Sequence, residues 1–165
     1  MIIWKAQRTL LIVGEGADEV AFLNHVKQLY VPRGCGLSVK IKNAQGKGAK
    51  HVIEWTGRQM AVAAYDVVAT LLDTDTDWSP AVEKLAKKKK IQVLASEPCF
   101  EALMLRVLKA NPNGDAQALK KHFAPFVNND ATQWQNYAKH FGSERLQAGR
   151  SHEQTIDALL KLIGS

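Results

Sequence analysis

Acidic side chains stand at two places where an apolar run stops. The first is Leu11-Ile12-Val13-Gly14-Glu15-Gly16, with Glu19 one helical turn further on. The second is Val67-Val68-Ala69-Thr70-Leu71-Leu72-Asp73-Thr74-Asp75-Thr76-Asp77. Alternation at period two puts the three aspartates on one side of an extended chain. Carboxylates gathered in this way repel one another unless a cation lies between them. An all-oxygen set of this kind suits a hard divalent ion, Mg²⁺ or in its place Mn²⁺, that works on a phosphate. The spacing is not that of an EF-hand, because its glycine and closing glutamate are missing.

The elements that must deliver these groups follow from the pattern of the chain. An apolar, β-branched-rich run reads as a strand buried on both faces of a parallel sheet. Strands are expected over 9–13, 37–41, 66–72 and 91–95, and helices over 17–30, 51–64, 80–89 and 99–109. Ser79-Pro80 gives the third helix its cap and first residue. This strict alternation predicts an α/β fold, a Rossmann-like four-stranded parallel sheet with helices on both faces. Ligands of such sheets bind beyond the carboxyl ends of the strands. Glu15 and the aspartates would therefore meet at one rim, joined by Glu101 from the first turn of the fourth helix. Strands cease after residue 110. Helical patterns over 116–123, 132–141 and 152–163 read as an extension (residues 111–165) packed on the 1–110 core.

Several motifs carry two readings. Asp77 is a ligand or, like Ser79, a cap for the helix that follows. Glu15 and Glu101 also suit helix starts, where the dipole favours negative charge. Gln45-Gly46-Lys47-Gly48-Ala49-Lys50 lacks the spacing of a P-loop and is either a phosphate-contacting loop at the same rim or a plain surface loop. Lys47 and Lys50, with Arg58, are the expected contacts to a substrate backbone. Lys87-Lys88-Lys89-Lys90 reads as a solvated helix end.

Composition narrows the classes further. The chain has 165 residues and a net charge of +6, enough for one domain and favourable to a polyanionic partner. Cys35 and Cys99 lack metal-type spacing and form no disulfide framework, so they read as reduced thiols. The five histidines are scattered, His25 and His122 reading as ordinary helix residues, and no nucleophilic triad can be assembled from spacing. Trp55 and Trp134 read as core or interface residues. Met1–Arg8 superficially resembles a leader, but the run behind it meets Glu15, Asp18 and Glu19 and has no cleavage site. A cytoplasmic location is the expectation.

In combination, Glu15 after the first strand and Asp73-x-Asp75 after the third resemble the signature of the Toprim fold family. Glu15-Gly16-Ala17-Asp18-Glu19 and Pro98-Cys99-Phe100-Glu101 are similar to elements of its OLD-type and RloB-like branch. The likeness covers roughly the first 110 residues. It departs at Asp18, where this branch often has threonine, and at Leu103-x-Leu105, which no histidine follows. The resemblance implies Mg²⁺-dependent phosphodiester chemistry on DNA or RNA, often in bacterial or phage defence loci. It implies Glu15 as acid/base or metal-associated group and the aspartates as metal ligands.

The expectation is thus a small metal-dependent nuclease. Asp73 and Asp75 would hold the ion, Glu15 would serve the attacking water, and Glu19 with Glu101 or Asp77 would complete a second position about 4 Å away. Two other readings stay open: a non-catalytic regulatory module that binds metal and nucleic acid, and a phosphoesterase acting on nucleotides. A homodimer or larger complex is compatible with each.

Overall fold

The computed structural model describes residues 7–164, so the first six residues of the leader-like stretch lie outside the described residues. The core is a βα series: β1 Arg8–Gly14, α1 Ala17–Tyr30, β2 Leu37–Asn43, α2 Gly48–Val62, β3 Val67–Asp73, α3 Pro80–Lys88, β4 Gln92–Ser96 and α4 Phe100–Val107. The four strands form one parallel sheet in the order β2-β1-β3-β4. The central pair, β1 and β3, carries the two acidic strand ends side by side.

Burial on both sides explains why the two central strands are apolar almost throughout. Leu10 and Ile12 of β1, with Ala69 and Leu71 of β3, face a cluster built on Phe22 and Val26 of α1 and Phe100 and Leu103 of α4. Leu11 and Val13, with Val68 and Leu72, face the opposite cluster, built on Val52 and Ile53 of α2 and Val82 of α3. Both faces of the central pair are therefore covered, whereas the edge strand β2 alternates and exposes Ser38 and Lys40.

Beyond α4 the chain adds α5 Ala116–Phe123, α6 Ser143–Gly149 and α7 Gln154–Leu162, with 3-10 turns at Ala124–Val127 and Trp134–Tyr137. Leu119, Phe123, Tyr137, Phe141, Leu146 and Leu159 enter the same buried cluster as α1 and α4. Phe22 is the hub, its ring 5.8 Å from Phe100, 5.7 Å from Tyr137 and 6.1 Å from Phe141. Edge-to-face aromatic contacts at these separations add to what area burial alone contributes.

Most elements begin and end within a residue or two of their expected positions, with three corrections. The second helix starts at Gly48 rather than residue 51, because Lys47 turns the chain in the left-handed region (φ 71°) directly before it. The helix expected over 132–141 is instead the turn Trp134–Tyr137. Its apparent periodicity comes from Tyr137 and Phe141, which anchor the aromatic cluster. Helix α6 was not expected. His25 is buried, its Nε2 2.6 Å from the Phe141 carbonyl oxygen, which ties α1 to the extension. Trp55 packs against the second cluster, whereas Trp134 is exposed. Among the described residues, no helix is long and apolar enough to cross a membrane.

Candidate metal centre

Register puts Glu15 and Asp73 together. Gly14 pairs with Leu71, and the Glu15 amide donates to the Leu71 carbonyl at 3.0 Å, so Glu15 stands level with the end of β3. The turn into α1 is tight: a Cβ on Gly14 would come within 2.9 Å of Val20 Cγ2, so only glycine fits there. Glu15 Oε2 then accepts the Asp73 N–H at 3.2 Å. Asp73 turns its own Oδ1 to the Phe100 N–H at the start of α4, at 2.9 Å. That contact fixes the carboxylate and draws Glu101 to the same place. Glu19 folds back so that its Oε2 accepts the Gly16 N–H at 2.8 Å.

These side chains line one cleft of about 700 Å³, which Glu15, Glu19, Asp73, Asp75, Asp77 and Glu101 all reach. Glu19 and Glu101 are buried, Glu15 and Asp73 half-buried, and Asp75 and Asp77 exposed. Burial, with Asp73 and Glu15 alongside, pushes the Glu19 carboxyl up to about 8. Burial, with Glu15, Asp75 and Glu101 alongside, pushes Asp73 up to about 8 as well. Glu15 is raised, chiefly by burial, then by Asp75 and Asp77, against the opposing hydrogen bond from Asp73. Among the described residues no lysine or arginine forms an ion pair with Glu15, Glu19, Asp73, Asp75 or Glu101. No ion pair therefore offsets these carboxylates, and burial favours the protonated forms of Glu19 and Asp73.

Asp77 has a structural task. Burial would raise its carboxyl, but the N–H groups of Ala49 (2.6 Å) and Lys50 (3.2 Å) outweigh this and hold it low. It caps α2, across the rim, while Ser79 Oγ caps α3 by accepting the Val82 N–H. Gly48 at φ 88° leaves the necessary room, since a Cβ there would sit 2.8 Å from Asp77 Oδ1.

Of the expected substrate contacts, Lys47 lines the cleft. Lys50 engages Asp77 through its backbone and sends its ammonium to Glu54 at 3.9 Å. Arg58 lies ten residues into α2, about 15 Å down the helix axis from the rim. The structure adds three residues that sequence reasoning did not place here: Asp18, the buried thiol of Cys99 and Lys120 of α5. Asp18 stands in the first turn of α1 beside Glu19, but nothing in the local sequence ties Lys120 to the rim.

The donor set fits a hard cation in type and charge, being all oxygen, partly desolvated and unpaired. It is not a ready cage: among the described residues no three His, Cys, Asp or Glu side chains are already grouped to hold an ion. Side-chain rotation of the exposed Asp75 and of Glu15 would be needed to close around one. A second groove of about 540 Å³, along β4 and α7, contains an ion pair, Arg106 Nε donating to Glu153 at 2.7 Å. No family model, no curated protein and no solved structure matches the chain.

Proposed function

We propose that the chain is a small metal-dependent phosphodiesterase acting on DNA or RNA, a Toprim-like nuclease using Mg²⁺ or Mn²⁺. The observation that carries this reading is the pair Glu15 and Asp73, half-buried at the ends of the two central strands, in no ion pair among the described residues, with the Glu15 charge raising Asp73. Asp73, aimed by the Phe100 N–H, would hold the ion together with Asp75. The bound ion would polarise the phosphodiester and stabilise the oxygens of an in-line displacement. Glu15 orients the attacking water and accepts its proton. Glu19 and Glu101 lie behind this pair and supply further oxygens, and Lys47 anchors the substrate phosphate from the neighbouring loop. The resemblance of Glu15, Asp73-x-Asp75 and Pro98-Cys99-Phe100-Glu101 to Toprim elements supports the same reading.

A second reading is a regulatory module that binds metal and nucleic acid without turnover. The engagement of Asp77 in capping α2, which leaves fewer free carboxylates for a second ion, favours it. One experiment separates the two: DNA and RNA oligonucleotides, with mononucleotides beside them, incubated with Mg²⁺ or Mn²⁺. The nuclease reading expects oligonucleotide cleavage that is lost in the Asp73→Ala, Asp75→Ala double variant. Binding without cleavage across both metals supports the module, and turnover of mononucleotides alone assigns a nucleotide phosphoesterase.

A further inference from the structure

The acidic rim has an electrostatic difficulty as a phosphate site, and the extension answers it. The inference rests on the phosphodiesterase reading and concerns how the same cleft holds its substrate. A strand of nucleic acid entering this cleft meets several carboxylates, which repel each of its phosphates. Two lysines line the cleft, and they come from opposite sides of the sheet. Lys47 precedes α2, whose Val52 and Ile53 pack on one face. Lys120 belongs to α5, whose Leu119 and Phe123 pack into the cluster on the other face. Glu15 and Asp73, at the edge of the sheet itself, lie between them.

Both lysines sit on fixed backbone. The Lys47 loop is tied down on either side, by the Gly46 N–H donating to the Glu15 carbonyl at 2.6 Å and by Asp77 holding the Ala49 N–H. Lys120 follows the buried Leu119 on a helix capped by Asp115, which accepts the Ala118 N–H at 2.8 Å. Both residues are exposed, and neither forms an ion pair among the described residues.

We infer that Lys47 and Lys120 are positioning residues that grip two different phosphates of one nucleic-acid strand, laid across the sheet edge with the reacting phosphate between them. The helical extension is then the second wall of the substrate cleft, and the preferred substrate is a polymer rather than a mononucleotide.

The test uses the full chain and a fluorescein-labelled single-stranded 20-mer. Binding is followed by anisotropy in Ca²⁺ across a salt series, and cleavage in Mn²⁺ is followed separately. Lys47→Gln and Lys120→Gln should each lower the slope of log K against log salt by about 0.7, one contact's worth for a single strand, and the double variant by about twice that. KM should rise in each with kcat changed less. Lys88→Gln, at the far end of α3, should leave the slope at the wild-type value. An unchanged slope in Lys120→Gln, or an equal loss in Lys88→Gln, overturns the two-sided grip. So does a fall in kcat alone. In these cases wild-type cleavage that depends on Asp73 and Asp75 would leave the phosphodiesterase reading standing. Wild-type protein that binds the 20-mer with both lysine contacts but never cuts it would retain the grip and remove that reading.

Discussion

Glu15 reaches from the end of β1 to the end of β3, where its Oε2 accepts the Asp73 main-chain N–H at 3.2 Å. The contact makes each carboxylate part of the other's setting. The hydrogen bond holds Glu15 at the rim, while its charge helps to push the Asp73 carboxyl up to about 8. Two strands that are neighbours in the sheet but far apart in sequence thus share one electrostatic problem, which a cation or a proton can resolve.

Protons should resolve it first when metal is absent. Glu19 and Asp73 have folded values near 8, above the ordinary carboxylate values of their unfolded forms. Between about pH 4 and pH 8 the folded state keeps protons that the unfolded state has released, so these groups make stability fall as pH rises through that window. Thermal unfolding in EDTA should give a Tm that declines from pH 5 to pH 8. Asp73→Asn should flatten that decline. Mn²⁺ should raise the Tm more at pH 8 than at pH 5, where protons compete for the ligands.

Loss of a ligand should be felt mainly in turnover. Asp75→Asn, exposed and outside the packed core, should leave the fold intact and lower kcat/KM for a cleaved oligonucleotide by about 10²- to 10³-fold. Steady-state kinetics with Mn²⁺ beside circular dichroism checks both halves of this expectation.

Asp77 should behave differently from its neighbours. Its two hydrogen bonds cap α2, so Asp77→Ala should destabilise the metal-free protein by about 1 kcal/mol in urea unfolding. Were it only a ligand, removing it would relieve repulsion on Glu15 and stabilise the metal-free protein instead.

The extension should be inseparable from the core. Phe141 contacts Phe22, Phe123 and Tyr137 and is fully buried, so Phe141→Ala should cost about 3–5 kcal/mol. Denaturant unfolding should remain a single transition, with no separate melting of residues 111–164.

The two cysteines should label unequally. Cys35 is exposed, whereas Cys99 is buried in the cleft wall with its thiol pushed up to about 11 by burial. Native protein treated with iodoacetamide at pH 7.5 should carry one adduct, on Cys35, by mass spectrometry.

How much of this was legible in the sequence depended on whether a signal was local. Burial on both faces turns β1 and β3 into continuous apolar runs, so their ends, and the acids placed there, could be read directly. Glu101 could be read too, because Pro98 and Phe100 mark the start of its helix. Lys120 could not, since it reaches the rim only through the packing of α5 on α4, a tertiary event with no local trace. Asp77 was readable as a cap but not as the cap of a helix that precedes it in the chain. Residues 132–141 misled for a related reason: Tyr137 and Phe141 have helical spacing, yet it is the aromatic cluster around Phe22 that selects them. The chemistry of the rim was visible in residue types, whereas its second wall was not.

Whether the rim formed by Glu15, Asp73 and Asp75 is a cation site is read most directly by anomalous diffraction from a crystal soaked in Mn²⁺. An anomalous peak is expected, bounded by these three carboxylates and absent in the Asp73→Ala, Asp75→Ala variant. A fully soaked crystal with no peak between them, or with Mn²⁺ bound only elsewhere on the molecule, would contradict it.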